Sequence, residues 1–355
     1  MHRPSSPPRR LLCALFLAIL LPTAQGSDAY RWSVQYLIDN SRSVFGRPQK
    51  VWPRHNRGLA ASPDGRFLYA GYHHGFSGGE VRQLAMDGND LDRVTLAVLP
   101  GPLAKAIATD DRGRVYIADE AAILIYDADL RHQLHRIPTE ACEGLATVRD
   151  GGSLLLFATE RAQGTVLRWT VQEDNLNVAG VAPSGFDGSG ILKIPDAKDL
   201  RGIEADGKGN LWVADCKGNN VFRIRRDGSQ LATLPVTSPL DIGVDGDRIF
   251  VTRYTERAIT VMNSEMAVLG SLGVPWEELE LSPVGNNQAG ALSGIAVLPG
   301  RGFFVTNEGG QTANQRSTYG RADEHSDMVG AKLFKDSFGD DNEPILRATV
   351  VAAQP

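Results

Sequence analysis

Charged residues of both signs recur at the same position of a repeated pattern, directly before short apolar runs. The set, which one serine completes, is Arg57, Lys105, Glu143, Arg201, Asp241 and Ser293. Glu143 and Asp241 could form a carboxylate pair for general acid and base catalysis, with Arg201 as a further catalytic candidate. The carboxylates could instead form ion pairs with the three cations. In a third interpretation the cations bind an anionic ligand, to which arginine makes bidentate contacts.

A second group of polar residues follows later in the same repeated pattern. Arg253 and Tyr254 follow one apolar run, and Asn307 and Glu308 follow another. Together with Arg57, Lys105, Glu143, Arg201 and Asp241, they are the candidate ligand-binding residues. The long segments 273–292 and 309–329 are expected near the same place, where they would cover a ligand or remain surface loops.

Histidines offer a candidate metal site, and cysteines a candidate disulfide. His55, His73 and His74 stand close together in the sequence, and His325 would join them if the chain closes into a ring. Imidazole suits zinc or copper, so a divalent metal is the candidate cofactor, although solvated loop histidines explain the same pattern. Cys142 and Cys216 could be bridged or could remain two thiols.

A short sequence motif that recurs six times positions these residues. Each copy has a small residue with apolar neighbours, a polar turn with glycine, and an apolar run that ends in Ala or Thr. The copies open at Gly58, Ala106, Gly144, Arg201-Gly202, Asp241 and Gly294. Apolar runs of this length bounded by glycine turns predict β-hairpins, and further strands follow in several copies.

Six units of four strands predict an all-β, six-bladed β-propeller of four-stranded antiparallel blades. We expect a strand from the N-terminal side, Lys50-Val51-Trp52-Pro53, to complete the last blade. The alternative is a two-sheet β-sandwich or two smaller domains. In the ring, the residues before the inner strands and the loops between second and third strands meet at one end of the central channel.

The fourth copy resembles the NHL repeat. The resemblance rests on Gly202-Ile203, Asp206, the run from Gly209 to Asp215, and Gly218-Asn219-Asn220-Val221. It implies the propeller superfamily that includes gluconolactonase/senescence-marker-type lactonases, streptogramin lyases and non-catalytic binding proteins. Lactonases of this fold are expected to bind a divalent cation through Glu, Asn and Asp. Here Arg57, Lys105 and Arg201 take three of the six positions, which disfavours such a metal site.

The N-terminus predicts export. Arg3, Arg9 and Arg10 precede the apolar run 11–21, and Ala24-Gln25-Gly26 fits a signal peptidase site, so we expect a signal peptide over 1–26 and one propeller domain over 27–355. The eleven-residue run is too short to span a bilayer. The formal net charge of −5 argues against nucleic acid as a partner.

The sequence therefore favours a secreted or periplasmic propeller without an integral membrane segment. We expect a monomer that binds a small anionic molecule, a glycan or a protein segment at one end of the channel. The alternative is a lactonase- or lyase-type enzyme that uses the same residues.

Overall fold

The computed structural model of the protein describes residues 30–36, 58–73, 79–87, 90–101, 104–140, 142–172, 181–183, 186–229, 231–256, 258–273, 291–308 and 345–350. Within these ranges the chain forms β-strands and one 3-10 turn, Phe186–Gly188, and no α-helix. No helix that could cross a membrane is therefore found in the described ranges.

The strands follow one another with short connections. In chain order they are β1 Tyr30–Tyr36, β2 Leu59–Ala61, β3 Phe67–His73, β4 Gly79–Asp87, β5 Asp90–Val98, β6 Ala106–Thr109, β7 Val115–Ala118, β8 Ala122–Tyr126, β9 Gln133–Pro138, β10 Cys142–Asp150, β11 Ser153–Glu160, β12 Thr165–Val171, β13 Val181–Pro183, β14 Ile191–Lys193, β15 Leu200–Ala205, β16 Asn210–Asp215, β17 Asn220–Arg225, β18 Ala232–Pro235, β19 Pro239–Asp245, β20 Arg248–Arg253, β21 Ala258–Asn263, β22 Val268–Gly273, β23 Ala291–Leu298, β24 Gly302–Glu308 and β25 Ile345–Val350.

These strands form antiparallel sheets that we number as blades 1 to 6: β2–β5, β6–β9, β10–β14, β15–β18, β19–β22, and β23–β25 with β1. The first strand of each blade contacts the first strand of the next, and β23 contacts β2, so the inner strands close a ring around a channel. The prediction of an all-β propeller built of four-stranded antiparallel blades is confirmed.

The prediction of four strands in all six blades needs one correction. Five sheets have four strands, but blade 3 has five. Strand β13 pairs with Trp169–Val171 of β12, and β14 pairs with Thr165–Leu167 of the same strand. The outer edge of blade 3 is therefore occupied by two short strands in place of one, because the chain between them leaves the sheet.

The ring is closed by a strand from the N-terminal side, as expected, but by a different segment. Strand β1 pairs antiparallel with β25 at the outer edge of blade 6, with Val34 opposite Leu346. The predicted closing strand, Lys50–Pro53, lies outside the described residues. Blade 6 therefore combines a strand from the N-terminal side with three strands from the C-terminal side, and the pairing of β1 with β25 joins the two parts of the chain.

Large apolar side chains fill the spaces between blades. Trp212, Tyr69, Tyr116, Phe157 and Phe250 are among the largest fully buried residues. Between blades 3 and 4, for example, Phe157 belongs to one cluster with Leu211 and Val213. Burial of one such side chain contributes roughly 1.5–3 kcal/mol, so the blade interfaces hold the inner strands in fixed positions.

Aspartates lock the hairpins that turn at the end of the channel away from the predicted site. In blade 4, Asp206 accepts hydrogen bonds from the backbone and side-chain nitrogens of Asn210 and, at 3.0 Å, from Trp212 Nε1. In blade 2, Asp110 accepts from Arg114 and, at 2.8 Å, from the Tyr116 hydroxyl. In both blades the aspartate therefore binds the residues four and six positions later and so fixes the hairpin.

Candidate functional site

The predicted site residues stand at irregular positions of the inner strands. The pairing register shifts between Cys142 and Gly144, between Leu200 and Ile203, between Pro239 and Ile242, and between Leu292 and Ile295. Glu143, Arg201, Asp241 and Ser293 lie within these four shifts. Bulges bend a strand and redirect side chains, so each shift turns a polar residue towards the channel. We call this end of the channel, where the inner strands begin, the mouth.

Glycines allow the inner strands to approach one another beside these bulges. A Cβ atom on Gly144 would lie 2.3 Å from the carbonyl oxygen of Arg201, and one on Gly202 would lie 2.6 Å from the Cα of Asp241. Both neighbours are backbone atoms, which cannot move aside without shifting a strand. The glycine after the site residue is thus required by the narrowness of the ring.

Glu143, Arg201 and Lys105 form a continuous ion-pair network at the mouth. Arg201 Nη1 donates to Glu143 Oε2 at 2.7 Å, and Lys105 Nζ lies 3.3 Å from Glu143 Oε1. Arg201 also donates to Asp199 at 3.2 Å, and Asp199 accepts from Arg161. The network alternates in sign across blades 2, 3 and 4, so each buried charge has an opposite neighbour.

The network keeps Arg201 charged. Burial alone would lower the pKa of Arg201, but the carboxylates of Glu143 and Asp199 outweigh it and raise that pKa above its ordinary value. Arg201 Nε is buried, and no described residue accepts a hydrogen bond from it.

Asp241 does not join this network. Its carboxylate accepts the backbone N–H groups of Ile242 and Ile295, both at 2.9 Å, and so ties blade 5 to blade 6. Burial raises the pKa of Asp241 to about 7, although these two N–H groups act in the opposite direction. Glu143 and Asp241 thus face different partners, which does not favour the acid and base pair that the sequence allowed.

The space at the mouth is small. A cavity of about 40 Å³ is lined by Lys105, Glu143, Arg201, Asp241 and Ser293 together with neighbouring inner-strand residues. A water molecule needs roughly 10–15 Å³ by this measure, so the cavity holds a few waters or one small ion. The space enclosed by the described residues is therefore smaller than a glycan or a lactone.

The rim above the mouth at blades 3 and 4 carries exposed cations. The Arg161 side chain is 41% exposed, and Lys198 and Lys217 are exposed. The carboxylates beneath them, Asp199 and Asp215, are 2% and 0% exposed. The same loops also carry the exposed Asp196 and the half-buried Glu160, so cations exceed acids only modestly among the solvent-facing groups here, although the whole chain has a net charge of −5.

Asp215 fixes the two loops that carry these lysines. Its carboxylate accepts backbone N–H groups of Lys198 at 3.1 Å, Asp199 at 2.8 Å and Gly218 at 3.1 Å. The backbone N–H of Cys216 donates to the carbonyl of Asp199 at 3.0 Å. These hydrogen bonds therefore hold the two lysine-bearing loops in fixed positions. We call Arg161, Lys198 and Lys217 the rim cations.

Of the remaining predicted site residues, Arg253 and Tyr254 are described together in blade 5. Arg253 pairs with Glu256 and donates to Ser271 at 2.8 Å, and Tyr254 is 39% exposed beside it. Asn307 and Glu308 end β24, and nothing is described of their side chains. Arg57 and most of the segments 273–292 and 309–329 lie outside the described residues.

The predicted metal ligands are not placed. His55, His74 and His325 lie outside the described residues, and His73 is described only as the last residue of β3. Elsewhere in the described part of the chain, Asp127, Asp129 and His132 come together on the loop between β8 and β9. Asp127 already accepts the backbone N–H groups of Arg131 and His132, so this cluster has a structural explanation.

The two cysteines are free thiols in the structure, so the bridge that the sequence allowed is not formed. Cys142 is buried, and burial raises its pKa to about 11. Burial also raises the pKa of Cys216. A reactive thiolate would need the opposite shift, so neither thiol has the character of a nucleophile.

Sequence reasoning did not single out Asp199, Lys198 or Glu204. Asp199 lies two residues before Arg201, which is a signal that its side chain could reach the same guanidinium. Glu204 follows Arg201 by three residues across a bulge, so simple alternation along the strand gives no indication of where it points. Its position in the channel is described below.

Comparisons with known proteins show the fold. No family model and no curated protein matches the chain by sequence. Among solved structures, a catalytically inactive virginiamycin B lyase from Staphylococcus aureus with quinupristin is similar at a TM-score of 0.54, with 14% identity over 91% of this chain and all of that one.

Two further solved structures have similar scores. A chain of a nidogen/laminin complex has a TM-score of 0.53 at 14% identity, covering 69% of this chain and 85% of that chain. The WD40 repeats of RRP9 have a TM-score of 0.52 at 15% identity, covering 74% and 75%. The protein is a β-propeller. At such low identity these likenesses establish the fold alone.

Proposed function

We propose that the protein is an extracytoplasmic, non-catalytic propeller that binds an anionic ligand at its mouth. Propellers with this fold include lyases and proteins of binding complexes, so the fold does not choose between them. The observation that carries the proposal is the excess of cations over acids among the solvent-facing residues at blades 3 and 4, where Asp196 and Glu160 are the acids that reach the surface. The rim cations are exposed, while Asp199 and Asp215 are buried beneath them.

The paired charges below the rim support binding over catalysis. Glu143 is occupied by Lys105 and Arg201, and the cavity of about 40 Å³ cannot enclose an organic substrate. An anionic ligand would therefore lie across the rim cations, with its carboxylate or phosphate oxygens within reach of Arg161.

Fluorescence anisotropy with labelled hexa-aspartate, with competition by tripolyphosphate, tests this proposal. The triple variant Arg161→Ala, Lys198→Ala, Lys217→Ala should bind about tenfold more weakly, because each exposed ionic contact contributes roughly 0.2–1 kcal/mol. The affinity of the wild-type protein should also fall as salt rises from about 50 to about 200 mM.

The matched control removes three exposed cations at the opposite end of the blades, Arg66→Ala, Arg112→Ala and Arg131→Ala, and should retain the affinity of the wild-type protein. Equal loss of affinity in both triple variants, or no binding at about 1 mM protein, would contradict the proposal. A screen of lactone and ester hydrolysis covers the enzymatic alternative. Turnover that Glu143→Gln abolishes would show that the mouth is catalytic.

The proposed location is tested separately by fractionation of the producing cell. The export signal over residues 1–26 predicts a mature chain outside the cytoplasm that starts near residue 27. N-terminal sequencing of the recovered protein measures this directly. An uncut chain confined to the cytoplasm would show that the location is wrong while leaving the binding proposal standing.

A further inference from the structure

The channel widens towards the end opposite the mouth. Leu59 and Ile107 line both the small mouth cavity and a second cavity of about 740 Å³, which continues to the hairpin turns. Its lining residues are mostly Ala, Val, Leu, Ile and Gly of the inner strands, such as Ala108, Ala146 and Val297, and backbone and polar side-chain atoms face the cavity between their methyl groups. Cavities of roughly 300–1,000 Å³ with apolar walls and a few polar groups are the usual size for small-molecule sites.

One carboxyl group stands out in this cavity. Glu204, on inner strand β15, lines it and accepts a hydrogen bond from the backbone N–H of Ala205 at 2.8 Å. Within the described part of the chain, no salt bridge to Glu204 is formed. The hydroxyl groups of Thr109 and Thr147 are used to bind the carbonyls of Ala61 and Thr109 on neighbouring inner strands.

The other charged residues of this cavity neutralise each other at its outer edge. Lys208 Nζ lies 2.7 Å from Asp247 Oδ1, and both side chains are more than half exposed. The remaining carboxyl that influences Glu204 is Asp241 of β19, which has the same sign. The charge that acts on Glu204 is therefore of its own sign, and the lysine of this cavity is already paired.

We propose that this cavity is a second binding site, which takes a small organic cation: an ammonium group carried on an apolar body. The ammonium would pair with the Glu204 carboxylate, and the apolar body would lie against the alanine and valine walls. A metal ion such as Ca²⁺ is disfavoured, because it requires six to eight oxygen ligands and, of the two carboxylates that line this cavity, Asp247 is already paired with Lys208. The site is independent of the anion-binding mouth.

The protonation state of Glu204 couples to binding. Burial raises the pKa of Glu204 to about 8, the Ala205 N–H acts against this, and Asp241 adds to it. At neutral pH much of the free protein therefore carries a protonated Glu204. An ammonium ligand favours the carboxylate, so its binding at pH 7 should release a proton to the buffer.

Isothermal titration calorimetry with benzylamine tests the site, and benzyl alcohol serves as the neutral probe of matched shape. The wild-type protein should bind benzylamine at pH 8.5 at least tenfold more tightly than benzyl alcohol. The affinity should fall about tenfold or more by pH 6.5, and titrations at pH 7 in two buffers of different ionisation enthalpy should show proton release.

Glu204→Gln should lose at least tenfold in affinity for benzylamine while keeping the Ala205 hydrogen bond and the fold. Glu265→Gln is the matched control, because Glu265 lies in the same end of the molecule but is exposed outside the channel. The rim-cation triple variant should bind benzylamine normally, which separates this site from the mouth.

Three outcomes would overturn the inference: equal affinity for benzylamine and benzyl alcohol, unchanged affinity in Glu204→Gln, or no binding of either probe at about 10 mM. Should Glu204→Gln fail to fold, the pH dependence and the proton release of the wild-type protein decide the matter. An affinity that does not change between pH 6.5 and 8.5 would then refute the role of Glu204.

Discussion

The ion pair between Glu143 and Arg201 should stabilise the mouth measurably. The two side chains are only 5% and 10% exposed, and their oxygen and nitrogen lie 2.7 Å apart. Removal of one partner of a buried pair typically costs about 3–5 kcal/mol. Arg201 retains Asp199, and Lys105 is 19% exposed and so partly solvated. We therefore expect Glu143→Gln to lower the free energy of unfolding by about 2–3 kcal/mol.

A double-mutant cycle measures the pair itself. Urea unfolding of the wild-type protein, Glu143→Gln, Arg201→Met and the double variant should give a coupling energy of about 1.5–2 kcal/mol, without a change in the denaturant slope. The exposed pair Lys208 and Asp247 is the control and should couple by less than about 1 kcal/mol. A coupling energy for Glu143 and Arg201 no larger than that of the control would refute a stabilising network at the mouth.

Three further predictions concern titratable groups that the blades bury wholly or in part. The pKa values of Glu204 and Asp241 in the folded protein, about 8 and about 7, lie above those in the unfolded chain. The stability that the protonated side chains contribute to the fold is therefore full at low pH and is lost as the pH rises through these values. In urea unfolding at pH 5 and pH 9, Glu204→Gln should therefore reduce the loss of stability, and an unchanged loss would contradict this. Asp206→Ala should lower the free energy of unfolding by about 3 kcal/mol or more and alter Trp212 fluorescence, because it removes several buried hydrogen bonds. An Asp206→Ala variant as stable as the wild-type protein would show that other contacts hold the turn. Cys142 should resist a thiol reagent at pH 8 until the protein unfolds, whereas rapid labelling of the native protein would contradict its burial.

The fold was predictable because it depends on a local pattern that recurs. Each copy of the motif, such as those around Gly202 and Gly144, carries its own sequence signals for a β-hairpin. A wrong strand assignment in one copy therefore does not affect the assignment of the others. The broken outer edge of blade 3 was not predictable, since Val181–Pro183 and Ile191–Lys193 are both too short to stand out. The closing strand was misplaced because an edge strand at a chain end has no partner nearby in sequence.

The composition of the mouth was predictable, but its chemistry was not. Positions before the inner strands indicated that Lys105, Glu143 and Arg201 would meet, since equivalent positions of a ring face one channel. Which charges pair depends on bulges that shift the register by one residue, and these follow from close contacts between strands. The role of Asp199 as the link between Arg201 and Arg161 is a consequence of that geometry.

The most direct test of the account is a hydrogen–deuterium exchange footprint of bound tripolyphosphate. If the mouth binds anions, protection should concentrate at residues 158–165, 196–201 and 215–219, which surround the rim cations, and should disappear in the rim-cation triple variant. The hairpin turns at the other end of the channel should exchange as before. Protection confined to those turns, or spread evenly over the blades, would contradict an anion-binding mouth.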